Sequence, residues 1–325
     1  MGEEQFNNRI DLTDFSAKVQ QLRHTVGSVI VGQNTAVDLV LTAILADGHV
    51  LLEGVPSVAK TLLARLLARL IDARFNRIQF TPDILPSDVL GTMVFNAKTS
   101  EFDFRPGPVF SDIVLVDEIN RAPAKTQAAL FEVMEERQVT VDGTTHRMGR
   151  LFAVLATQNP VEQEGTYRLP EAQLDRFIMK VEMGYPQPDE ETEILRRHHT
   201  NSRLTSLDNM QPVITMDELM TMRAMLNSVV VDDSMLGYIV SIVQATRASK
   251  VIFLGASPRA GVALLRAGKA YALLQGRDFV TPDDVKLLAP SVLHHRITLT
   301  AEAEMQGYTP DMAIERLLEK LEVPK

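Results

Sequence analysis

The chain has 325 residues, 45% hydrophobic and 23% charged, with a formal net charge of −9; at roughly 100–200 residues per domain this predicts two domains and a well-buried core. It contains no cysteine, which excludes disulfide frameworks, thiol catalysis, iron–sulfur clusters and cysteine-based zinc sites. The acidic balance argues against nucleic-acid binding by the whole surface, and no apolar run reaches the ~18 residues of a membrane span, since residues 37–52 are interrupted by Asp38, Asp47, Gly48 and His49.

The opening Met1-Gly2-Glu3-Glu4-Gln5-Phe6 has neither a basic n-region nor an apolar h-region, and Phe6 breaks the myristoylation pattern. A cytoplasmic protein is expected. From about residue 48 to 182, short apolar runs alternate with amphipathic segments, as in an α/β sheet domain. His49 to Glu53 reads as a strand ending in Gly54, followed by a helical pattern from Lys60 to Ile71. Arg77 to Phe80 is a second strand, and Ile113-Val114-Leu115-Val116 a run suited to burial on both faces. Phe152 to Ala156 repeats that pattern, and Phe177 to Val181 predicts an edge strand. Two hairpins are expected, one about Met93 to Arg105 and one from Gln138 to Met148 turning at Asp142-Gly143. After Tyr185-Pro186-Gln187-Pro188 the texture becomes helical, with capped starts at Thr215-Met216-Asp217-Glu218 and Thr281-Pro282-Asp283-Asp284. The predicted division is 1–188 and 189–325.

Between the first strand and its helix lies Gly54-Val55-Pro56-Ser57-Val58-Ala59-Lys60-Thr61, close to the G-x-x-x-x-G-K-[ST] phosphate loop. In such a loop the backbone N–H groups and the helix start cradle phosphate. Lys60 neutralises charge and the Thr61 hydroxyl ligates Mg²⁺. Ala59 stands where the pattern has its second glycine, at about 1–2 kcal/mol if the backbone is left-handed there. On this loop alone, an ordinary strand–turn–helix stays open.

Asp117-Glu118 follows a buried run, which delivers two carboxylates to the carboxyl edge of the sheet, where α/β ligands bind. The expected roles are Asp117 at Mg²⁺ and Glu118 on the attacking water. A further strand ends at Ala156-Thr157-Gln158-Asn159-Pro160, and the neutral Asn159 amide suits orientation of water beside a γ-phosphate. Arg176, in Leu169-Pro170-Glu171-Ala172-Gln173-Leu174-Asp175-Arg176-Phe177, is placed to present a permanent planar cation across a subunit boundary; a surface pair with Asp175 is the other reading. Ser257-Pro258-Arg259 reads as a helix start with Arg259 directed toward a ligand between the domains.

The seven histidines show no metal spacing and are expected at the surface. Met216, Met220, Met222 and Met225 predict a soft packed face, and Pro310 to Leu321 an amphipathic helix packed on the second domain.

Together these strings resemble the AAA+ ATPases, and within them the MoxR family, over roughly residues 20–300. The most specific are Val114 to Ala122, Ala156 to Pro160 and Leu169 to Phe177. The resemblance implies an α/β fold class: an αβα P-loop core with a parallel sheet, followed by a smaller all-helical lid. It also implies a Mg²⁺-dependent ATPase working as a homo-oligomeric ring, commonly a hexamer. It makes Gly54, Val55, Pro56, Ser57, Val58, Ala59, Lys60, Thr61 and Leu62 the Walker A segment and Asp117-Glu118 the Walker B pair. Asn159 becomes sensor 1, Arg176 the trans-acting finger and Arg259 sensor 2, and Gly32-Gln33 the segment contacting adenine. Ser57 and Ala59 depart from the fuller GxPGxGK[ST] form, and Arg168 stands where relatives often have proline. Protein clients, including partners with von Willebrand A domains, follow from the resemblance; nucleic acid and membrane insertion do not. The ATPase subunit of a magnesium chelatase, a DNA motor of the same superfamily and a non-hydrolysing nucleotide-binding scaffold are the alternatives.

Overall fold

The computed structural model describes residues 11–55, 58–159, 167, 169–200 and 207–324. Helices α1 (Thr13–Val29) and α2 (Asn34–Leu45) lead into β1 (His49–Gly54), α3 (Lys60–Leu70), β2 (Phe75–Gln79) and α4 (Pro86–Leu90). A hairpin, β3 (Gly91–Asn96) with β4 (Glu101–Pro106), precedes β5 (Ile113–Asp117) and α5 (Ala124–Glu136). A second hairpin, β6 (Gln138–Val141) with β7 (Thr144–Arg147), leads to β8 (Ala153–Gln158), α6 (Glu171–Leu174), β9 (Phe177–Met183) and α7 (Pro188–Thr200). Then come α8 (Met216–Met225), α9 (Asp233–Ala248), β10 (Ile252–Leu254), α10 (Pro258–Leu274), α11 (Pro282–Leu293), β11 (Thr298–Leu299), α12 (Ala301–Met305) and α13 (Pro310–Lys320).

The five core strands form a parallel sheet in the order β2-β5-β8-β1-β9. Every residue of β5 is buried, because a central parallel strand is covered on both faces. At the edge, β2 buries Ile78 but exposes Asn76 and Arg77. Alternation sorts β1 in the same way: Val50 and Leu52 face the core shared with α2, α3 and the later helices, whereas Leu51 joins Phe131, Phe152 and Phe177 beneath α5. The Asp142-Gly143 turn has φ of 49° and 76°, as a two-residue hairpin turn with the strand twist requires.

The helices after Pro188 start where their caps stand. Thr215 and Glu218 exchange side-chain and backbone bonds at the start of α8 (2.8 and 3.3 Å), and Thr281 and Asp284 do so at α11 (2.8 and 3.3 Å). Met222 is buried, while Met216, Met220 and Met225 pack partly buried on the same core; α13 buries Ala313, Ile314 and Leu318. Arginines tie these helices to the sheet domain. Arg223 donates to Ile44 O (3.1 Å) and Arg266 to Ala46 O and Asp47 O, both meeting the carbonyl end of α2. Arg296 binds Asp175 (2.6 Å) and the Phe177 carbonyl (2.8 Å) at the start of β9.

The expectation of surface histidines fails at two positions. His295 is buried, with Nε2 on Phe177 O at 2.9 Å, because the turn after α11 packs on β9. His49 is buried at the start of β1. Its Nδ1 accepts from Val154 N–H (3.0 Å), so the proton sits on Nε2, facing Met134 O at 3.1 Å. Burial, aided by the Arg137 guanidinium, lowers its pKa from 6.5 to about 3. The unfolded chain therefore takes up a proton near pH 6.5 that the folded chain refuses until about pH 3. Stability from this group is complete above pH 6.5 and declines by about 1.4 kcal/mol per pH unit below it. Urea denaturation of His49→Gln should show a shallower loss between pH 6 and 4 than the parent; an identical slope would acquit His49.

Candidate active site

Three parallel strands end at one edge of the sheet, and the residues at their ends carry the chemistry: Gly54 closing β1, Asp117-Glu118 at the end of β5 and Asn159 after β8. Gly54 must be glycine, because a Cβ there would collide with the Met183 carbonyl of β9. Val55 and Leu62 are partly buried against the core and Val58 is buried. Pro56 and Ser57, like Pro160 and Arg168, lie outside the described residues. Ala59 adopts the left-handed conformation that the pattern reserves for glycine, with φ 65° and ψ 19°, directly before α3. The strain of about 1–2 kcal/mol is carried by the fold.

The N-cap residue of α3, Ala59, has no side-chain group to cap the helix, so among the described residues its first amides stay open toward the loop, beside Lys60 and the partly buried Thr61. Lys60 Nζ donates to Gly54 O at 2.6 Å. Burial lowers the Lys60 pKa, while Asp117, Glu118 and Glu53 act in the opposite direction. An uncapped helix start, an ammonium and a buried carboxylate make a donor set that fits a phosphate chain with its divalent cation. On the other side of β1, Gly32 (φ 78°) turns the chain into α2, and Gln33 Nε2 donates to Gly184 O at 3.1 Å.

The two carboxylates are held by neighbours that the sequence did not single out. Asp117 takes Arg77 Nε at 2.5 Å and the Thr157 hydroxyl at 3.1 Å, and Thr157 also accepts the Glu118 N–H at 3.0 Å. Glu118, at φ 57°, receives Gln79 Nε2 at 3.1 Å and pairs with Arg121 at 2.8 Å. Gln79 lies opposite Asp117 in the β2–β5 register, and Arg77 shares its face two residues earlier. That alternation was visible in the sequence; the register that aims it at Asp117 was not.

Arg176 and Arg259 stand together at the other end of the sheet. Arg176 Nη1 binds Phe131 O (3.0 Å) and Glu135 (3.1 Å), its Nε is buried without a hydrogen-bond partner, and Arg259 binds the other oxygen of Glu135. Both line a cavity of about 380 Å³ with Asp47, His49 and Asp175. Six-residue β1 separates that cavity from Gly54, about 17 Å at strand rise. Arg259 thus lies away from the Lys60 loop of its own chain: the turn before α10 packs beside β9, with Ser257 bonded to Asp175 at 3.2 Å instead of capping the helix. The arrangement leaves a phosphate-binding edge with two carboxylates at one end of the molecule and a paired-arginine cavity at the other.

The family AAA_3, ATPase family associated with various cellular activities, matches residues 49–179, and an AAA lid domain matches residues 244–317. The chain is 50% identical to the Bacillus subtilis protein YeaC over 92% of both chains. It is 42% identical to the Mycobacterium tuberculosis protein named Chaperone MoxR1, over 92% of this chain and 81% of that one. A crystal structure from Cytophaga hutchinsonii superposes with a TM-score of 0.89 at 43% identity, covering 97% of each chain. With a five-stranded parallel core, helices behind it and near-full-length relatives of this kind, the chain belongs to the MoxR family of AAA+ ATPases.

Proposed function

We propose that the protein binds ATP with Mg²⁺ and hydrolyses it in sites that two neighbouring copies complete in a ring, commonly a hexamer, using the cycle to remodel protein clients. The observation carrying this reading is the separation just described: Arg176 and Arg259 share Glu135 at the sheet end remote from Lys60, Asp117 and Glu118. Two guanidinium groups on one carboxylate retain a net positive charge for an incoming anion.

In each site Gly32 and Gln33 border the adenine. Gly54 to Leu62 wrap the phosphates, Lys60 neutralises them, and Thr61 with Asp117 holds Mg²⁺, which supplies charge stabilisation for the transferred phosphoryl group. Glu118 accepts the proton of the attacking water, and Asn159 orients that water without adding negative charge. The neighbour's Arg176, backed by its Arg259, stabilises the charge that spreads over the γ-phosphate oxygens in the transition state. Protein clients, including partners with von Willebrand A domains, rest on the family relation and on the name of the mycobacterial relative. The exposed Phe95 and Phe102 rings, 5.3 Å apart on the β3–β4 hairpin, add support for protein contact. Among the described residues no helix is long and apolar enough to cross a membrane; we place the action in the cytoplasm.

The test is ATPase activity against protein concentration, with sizing in the presence and absence of ATP. Activity per chain should rise as the ring assembles. Activity that stays constant from isolated chain to ring would remove the shared site.

A further inference from the structure

Lys180 lies in edge strand β9, level with Leu51 of β1, and its side chain is only 10% exposed. Its ammonium meets Glu53 at 2.5 Å and His294 Nε2 at 2.8 Å, with Glu182 at 4.0 Å. Because Nε2 accepts from Lys180, the His294 proton sits on Nδ1, which donates to Asp311 at 2.8 Å. That bond, the largest influence on Asp311, lowers its pKa. Ligand atoms of Glu53, Glu182 and His294 lie within 4.8 Å of one another, a spacing suited to a metal ion; the Lys180 ammonium occupies the place of the cation. The bridge thus runs from Asp311 on α13, through His294 after α11 and Lys180 on β9, to Glu53 on β1.

Glu53 immediately precedes Gly54, whose carbonyl takes the Lys60 ammonium, and its carboxylate acts on the Lys60 charge as well. One partly buried carboxylate is therefore paired with the lysine tied to the later helices, and sits one residue before the carbonyl that takes the lysine assigned to phosphate. Paired with Lys180, Glu53 has its charge neutralised. Unpaired, it repels an incoming phosphate and competes for Lys60.

We propose that Lys180 is a positioning residue for nucleotide binding: anchored by His294 and Asp311, it neutralises Glu53 and so leaves Lys60 available to phosphate. The proposal rests on the ATP reading above and adds a linkage to it. Contacts that hold His294 and Asp311 on Lys180 strengthen ATP binding, and ATP binding strengthens those contacts by the same factor.

The experiment is calorimetric titration of the full chain with ATP and Mg²⁺. Lys180→Met should weaken binding about tenfold, Lys180→Arg should bind close to the parent, and Lys180→Met with Glu53→Gln should return to within about threefold of it. Asp311→Asn, at the outer end of the bridge, should weaken binding in the parent and have no effect in the Glu53→Gln background; this pair decides the matter should Lys180→Met fail to fold. Folded Lys180→Met that binds like the parent, or a double variant as weak as Lys180→Met, would overturn the proposal, as would an Asp311→Asn effect that persists without the Glu53 charge. A parent chain that binds no ATP would instead sink the nucleotide reading itself.

Discussion

Glu118→Gln should keep ATP binding and slow hydrolysis by at least ~10²-fold, the scale of losing a positioned general base. The substitution preserves shape and leaves Asp117 with Arg77 and Thr157, so the binding half of the site is untouched. It removes the carboxylate proposed to take a proton from water, whereas Asp117 is buried and bonded on both oxygens. The neighbours of Glu118 sharpen the expectation. Gln79 and Arg121 hold its carboxylate in this structure, and both must let it turn toward water when substrate is bound. Turnover and ATP affinity measured on the same preparation check this; hydrolysis at the parental rate would take Glu118 out of its role.

Arg176→Ala should lower hydrolysis by about 10³-fold, the lower range for an arginine that stabilises phosphoryl transfer, with ATP affinity nearly unchanged. Its position dictates a more selective result. Within one chain the length of β1 lies between Arg176 and Lys60, so in the proposed mechanism each complete site draws on two copies. Mixed with Glu118→Gln, the Arg176→Ala protein should therefore regain activity. A site pairing Glu118 of the Arg176→Ala chain with Arg176 of the Glu118→Gln chain lacks nothing. The mixture should exceed the sum of the separate variants by at least tenfold. A mixture no more active than its components, with ring formation verified by sizing, would place Arg176 outside the reaction. Glu135 belongs to the same argument: it occupies both guanidinium groups in the free chain and must yield them as phosphate arrives.

Much of the core was legible because its signals are local. β-branched runs such as Ile113 to Val116, bounded by turn residues, suit the middle of a parallel sheet, where both faces are covered. The residues at the ends of such runs emerge at its carboxyl edge, as Asp117 and Asn159 do. Helix caps at Thr215 and Thr281 were equally local, since each satisfies amides three residues away. Ala59 shows where a local rule bends: the loop keeps its left-handed turn without glycine, because the strand before it and the helix after it over-determine the backbone there.

Residues whose meaning depends on partners far along the chain were not legible. Arg77 and Gln79 read as ordinary edge-strand polar residues until register sets them against Asp117 and Glu118. His49 and His295 read as surface residues until packing removes water from both. A phosphate loop, two strand-end carboxylates, a parallel sheet and two candidate arginines are readable from short segments, since strand burial, turn geometry and charge type are local properties. That Arg259 joins Arg176 away from its own phosphate loop, and that Lys180 links Glu53 to His294 and Asp311, emerges once the chain is folded. Those placements follow from how the later helices dock on β9, a contact between residues more than a hundred positions apart that no local pattern encodes.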